Sequence, residues 1–157
     1  MSPNRTQTCR LMVACVALSL LLACAPRLIR GKPPLVSIQS LQTIESQIEL
    51  GLLLRNANEV PLDLTSMQFT LTLEEVELAR YSDQFMLSIS ASGAENSLFS
   101  LSMDPVGAER LKALERGDIT SLAYTIEGDA VSAEDGVLKF NAEGRLYPVP
   151  GRSGQFR

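Results

Sequence analysis

The sequence predicts an all-β domain: an antiparallel sandwich of about seven strands with one short helix. Three observations carry this expectation. Apolar residues recur at every second position through most of the chain beyond residue 34, Asn, Asp, Gly and Pro separate the alternating runs, and one segment opened by Asp104-Pro105 breaks the period. Period-two alternation gives a strand one buried and one wet face, as in antiparallel sheets covered on one side. Several short strands between turn signals read as a sandwich.

Residues 35–41 open the series. In 45–55, Ile48, Leu50, Leu52 and Leu54 share one face. Met67, Phe69, Leu71 and Leu73 then alternate with Gln68, Thr70 and Thr72, and Phe85, Leu87, Ile89 and Ala91 alternate with Met86, Ser88 and Ser90. Phe99, Leu101 and Met103 alternate with serines, and Leu122, Tyr124 and Ile126 repeat the pattern, as do Leu138, Phe140 and Ala142. Leu52, Phe69, Leu87, Tyr124 and Phe140 are the large inward residues this predicts. Between the fifth and sixth runs, Asp104 is placed as an N-cap and Pro105 as the first helical residue, whose missing amide costs nothing there. Val106, Arg110, Leu111 and Leu114 follow, and Gly117 is placed to end the helix in a left-handed conformation, so the spacing predicts a helix over 105–116.

The N-terminus carries a different signal. Arg5 and Arg10 precede an apolar run over 11–22, long enough for a secretory leader and too short to span a bilayer. The run closes on Leu21, Leu22, Ala23 and Cys24, which resembles the lipobox of bacterial lipoproteins. The resemblance implies a leader over 1–23, cleavage before Cys24, a diacylglycerol thioether on that cysteine, and a new amino group open to acylation. Met12-Val13-Ala14-Cys15 is a poor alternative, because almost no apolar run precedes it. Ala25 follows the lipidated residue where the inner-membrane signal would be aspartate, so the expected location is the cell envelope, and the outer membrane facing the periplasm if there are two membranes. Residues 24–34 read as a tether, with Pro26, Pro33 and Pro34 favouring extended backbone and Gly31 adding freedom. Arg27, Arg30 and Lys32 either meet anionic headgroups or are the charges of a solvated spacer. Residues 151–157 show no apolar pattern and read as a flexible tail.

Composition excludes several functions. The chain has 14 basic and 18 acidic residues, and losing Arg5 and Arg10 makes it more acidic, against the basic stripe a nucleic-acid partner requires. There is no histidine. Of the three cysteines, Cys9 and Cys15 leave with the leader and Cys24 becomes a thioether, so no free thiol remains. Histidine-dependent nucleophile systems and the usual zinc sites are therefore absent, and no cofactor motif or metal-ligand spacing is present. Two acidic groups, Glu74/Glu75/Glu77 and Asp129/Glu134/Asp135, fall near hairpins and read as solvated tips rather than acid–base or calcium sites. The expectation is a protein that is not an enzyme.

Asn56-Ala57-Asn58-Glu59-Val60-Pro61-Leu62 leaves the second strand run. Asparagines bond nearby backbone and tolerate left-handed angles, and Pro61 suits the start of a strand. Asn56, Asn58, Pro61 and Leu62 resemble the Asn-Pro-Asn-x-x-Pro-Leu signature of late embryogenesis abundant type-2 proteins, the WHy (water stress and hypersensitive response) domain, with Ala57 in place of the usual proline. Tyr124 and Gly128, in Tyr-Thr-Ile-Glu-Gly, are similar to a later element of that family. Glu74-Glu75 departs from the family's frequent Asn-Gly hairpin, and Arg80-Tyr81 stands where glycine is common. The resemblance spans 35–150. It implies an immunoglobulin- or fibronectin-III-like sandwich, a role in tolerance of desiccation and related stress, and no catalytic residue. The expected partners are the membrane, through the lipid on Cys24, and envelope proteins. The alternative function is a structural accessory subunit of an envelope transport or assembly complex.

Overall fold

In the computed structural model, which describes residues 28–157, each alternating run is a strand. In chain order these are β1 (Leu35–Ile44), β2 (Gln47–Arg55), β3 (Leu62–Leu73), β4 (Val76–Ile89) and β5 (Ala94–Ser102). Helix α1 (Pro105–Arg116), β6 (Leu122–Ser132), β7 (Gly136–Leu146) and the two-residue β8 (Gln155–Phe156) follow. The leader, Leu21, Leu22, Ala23 and Cys24 lie outside the described residues.

All pairings are antiparallel, in two four-stranded sheets ordered β5-β2-β1-β8 and β4-β3-β6-β7. This is an immunoglobulin-like sandwich in which the fourth strand joins the sheet of the third. Ile48, Leu50, Leu52 and Leu54 of β2 face Met67, Phe69, Leu71 and Leu73 of β3 across a single core, all buried. Phe99 of β5 joins the layers. Its ring meets Tyr81 at 4.8 Å and Phe69 and Phe85 at 5.3 Å, the first two contacts edge-on as ring quadrupoles favour.

Helix α1 has the predicted bounds and caps. Asp104 Oδ1 accepts from the N–H of Val106 (2.8 Å) and Gly107 (3.4 Å), and Gly117 stands at φ 78° with its N–H donating to the Leu114 carbonyl. The buried stripe is Gly107, Leu111 and Leu114, whereas Val106 is exposed. Gly107 rests on β4 itself, where a Cβ would strike the Glu77 carbonyl and the Leu78 Cα.

Three expectations need correction. Beside the seven long strands, in line with the expected count, the two-residue Gln155–Phe156 pairs with Gln42 and Leu41 of β1. The segment 151–157 is therefore no free tail. Phe156 is buried, and Glu115 of α1 accepts from the Gly154 N–H at 2.9 Å and from the Ser153 hydroxyl. The fourth strand begins at Val76 rather than Phe85, since a bulge opposite Leu71/Thr72 places Leu78 and Ala79 both inside and hides the alternation. Finally, Leu87 is only half-buried, near the edge of its sheet.

The strand directions give the sandwich two distinct ends. One, here the near end, holds the first described residues, the β2–β3 and β4–β5 loops and the β6–β7 turn. The far end holds the β1–β2 and β3–β4 turns, α1 and the C-terminal turn.

Candidate functional site

The motif asparagines sit at the near end and both side chains are buried, 1% exposed each. Asn56 follows directly on β2, whose last residues carry it inward between the sheets. Its Nδ2 donates to the carbonyls of Val60 (2.8 Å), Ser90 (3.1 Å) and Ile89 (3.2 Å). Its Oδ1 accepts from the Asn58 N–H at 2.8 Å and from Asn58 Nδ2 at 2.9 Å. One side chain thus closes its own loop and joins it to the turn after β4. Backbone bonds reinforce the junction: Asn56 N–H donates to the Gly93 carbonyl and Ser92 N–H to that of Asn58.

Asn58 faces the other way, toward the segment entering the domain. Its Nδ2 donates to the Lys32 carbonyl (3.0 Å) while the Lys32 N–H donates to Asn58 Oδ1 (2.8 Å), so the side-chain amide pairs with Lys32 as a neighbouring strand would. Glu59 N–H donates to the Ile29 carbonyl, and the Ile29 N–H donates to Glu59 Oε2, both at 2.9 Å. Arg30 reaches the β6–β7 turn, donating from Nη2 to Glu134 (2.8 Å) and from Nε to Asp135 (3.1 Å). Asp135 first, then Glu134, raises the Arg30 pKa and keeps the guanidinium charged. Residues 29–32 are therefore strapped to two loops, β2–β3 and β6–β7, rather than forming a free tether, and only the Asn58 end of that strap belonged to a motif. Pro61 and Leu62 complete the motif by starting β3, Leu62 buried and Pro61 exposed.

Tyr124 and Gly128 lie on the inward face of β6. Opposite Tyr124 stands Gly144, where a Cβ would fall 2.6 Å from the tyrosine ring, so the ring occupies the space a side chain would need. Gly128 admits Phe69 and Phe140 from both flanking strands, and a Cβ there would collide with the Gln68 carbonyl. Both motifs hold the fold. The two asparagines carry no titratable proton, so they offer hydrogen bonding and no proton transfer.

The acidic groups are spent separately. Glu77 pairs with Arg80 at 2.6 Å, Glu74 lies 3.9 Å from Arg110, Asp129 accepts from Gln68, and Glu134 and Asp135 hold Arg30. Among the described residues no three carboxylate or thiol groups are gathered as a metal site would need, and no helix is long and apolar enough to cross a membrane. The surface hollows are open. One of them, ≈ 500 Å³, is a groove between the edges of β4 and β5 that includes Tyr81, whose pKa is raised by burial and by Asp83.

No protein-family model matches the chain, and no curated protein matches it. Among solved structures, an Arabidopsis thaliana protein, AT1g01470, is similar over 85% of this chain and 97% of its own, with 11% identity and a TM-score of 0.53. A protein from Archaeoglobus fulgidus matches over 78% of this chain and 98% of its own, at 17% identity and a TM-score of 0.47. A protein provisionally described as late embryogenesis abundant (LEA), At2g46140.1, matches over 87% and 86%, at 12% identity and a TM-score of 0.45. At such identities the likeness to AT1g01470 is one of fold, an antiparallel β-sandwich of this size.

Proposed function

We propose that this chain is a lipid-anchored, non-catalytic domain of the cell envelope, attached through Cys24, that binds or protects envelope components during desiccation or related stress. The order Arg5/Arg10, apolar run, Leu21-Leu22-Ala23-Cys24 supports the anchoring. The observation that carries the domain reading is the use made of the WHy-like residues. Asn56, Asn58, Tyr124 and Gly128 are all committed to holding the sandwich, leaving loops, strand edges and faces as the working surface. A protein acting by surface contact needs such a scaffold and tolerates the loss of any one exposed polar group.

Survival of a deletion strain through drying, osmotic shock and freezing tests this directly, beside protection of labile enzymes or vesicles by the purified protein. The expected results are a survival defect and protection exceeding that of an inert acidic protein of equal size. The accessory reading is favoured by a separate observation: edge strands β5 and β7 present exposed Leu98 and Val137 for strand addition by a partner. Normal survival, with a stable complex crosslinked through those edges, decides for it.

A further inference from the structure

The strap over residues 29–32 does more than close a loop. A chain free from Cys24 to Pro34 has ten residue steps and a reach of about 36 Å, comparable with the ~33 Å length of the ten-residue β1. Such a leash lets the domain turn any side to the membrane. With Ile29, Arg30 and Lys32 bound to Glu59, Glu134, Asp135 and Asn58, only the steps from Cys24 to Leu28 remain, about 14 Å at full extension. The near end is then obliged to stay beside the lipid.

The surface there suits that neighbour. Leu28, Ile29 and Leu35 are exposed apolar side chains around the point of entry, with Lys32 and Arg55 exposed at the same end. Of the two negative charges that Glu134 and Asp135 would set against anionic headgroups, Arg30 offsets one. Gly31 makes the grip sterically feasible: at φ 75° it takes a left-handed turn between Arg30 and Lys32 that a side chain would strain.

We infer that the strap holds the sandwich end-on to the membrane, its near end against the lipid surface and its helix-bearing far end projected outward. This rests on the anchoring through Cys24 proposed above. The test uses the lipidated protein in phosphatidylcholine/phosphatidylglycerol vesicles carrying a headgroup acceptor dye, with a donor on Ala91→Cys at the near end or Ser46→Cys at the far end. Energy transfer severalfold stronger from position 91 than from 46 is expected, and Arg30→Glu, which sets like charges together without touching Asn58, should bring the two toward equality. Hydrogen exchange on the detergent-extracted protein reads the strap independently of any lipid. The Ile29 and Lys32 amides should exchange at least about tenfold more slowly than unstructured chain, and faster in Arg30→Glu. Equal transfer from both positions in an attached, lipidated protein overturns the end-on arrangement while leaving the anchoring intact. Unprotected amides overturn the strap, and a protein that never attaches overturns both proposals.

Discussion

Asn56 concentrates more buried hydrogen bonding than any neighbouring side chain: three carbonyls and two amides depend on it. Leaving a buried partner unpaired costs about 1–3 kcal/mol. Some partners will relax toward water, so Asn56→Ala should destabilise by about 2–3 kcal/mol in urea unfolding. Asn56→Asp should be worse than alanine near neutral pH, because a carboxylate would face three carbonyl oxygens with no proton to give. An aspartate variant as stable as wild type would contradict the hydrogen-bond assignment. The turn-forming tendency of both asparagines was legible in the sequence. Their partners were not, since Ile89 and Lys32 lie 33 and 26 residues away and backbone carbonyls carry no identity. The same is true of Arg30, whose link to Glu134 spans 104 residues.

The β3–β4 hairpin turns on Glu74 and Glu75, both left-handed at φ 48° and 70°. Two consecutive left-handed residues are what a tight primed turn demands, and Asn-Gly meets the demand with less strain than glutamate. Glu74→Asn with Glu75→Gly should therefore stabilise the domain by about 1 kcal/mol, and the lost Glu74–Arg110 contact, exposed and 3.9 Å long, should offset little of it. A fall in the urea midpoint would show the turn to be of another type. Gly107→Ala should go the other way, pushing α1 off β4. Most strands and the helix were legible because one-sided burial writes period two, and because Asp104-Pro105 and Gly117 mark the helix ends chemically. Two departures have physical causes. The bulge beside Leu78 shifts the period within β4, and β8 is too short for any alternation, its place set by pairing with residues over a hundred positions earlier.

As a whole, the molecule is a sandwich closed at both ends by segments that looked dispensable. Truncation after Pro150 removes Phe156 from the core and the Gly154 bond to Glu115. It should cost about 3–5 kcal/mol, the range for deleting a buried phenylalanine, with a fall in urea midpoint as the readout. The proposed role depends on attachment, because a protective or organising surface works where it is held. That places the weight on Cys24. Intact mass spectrometry of the protein extracted from membranes is the most direct test of the account. It predicts a chain lacking residues 1–23, carrying acyl mass on Cys24, and a Cys24→Ser variant that stays uncleaved or becomes soluble. An unmodified chain recovered from the cytoplasm would contradict it.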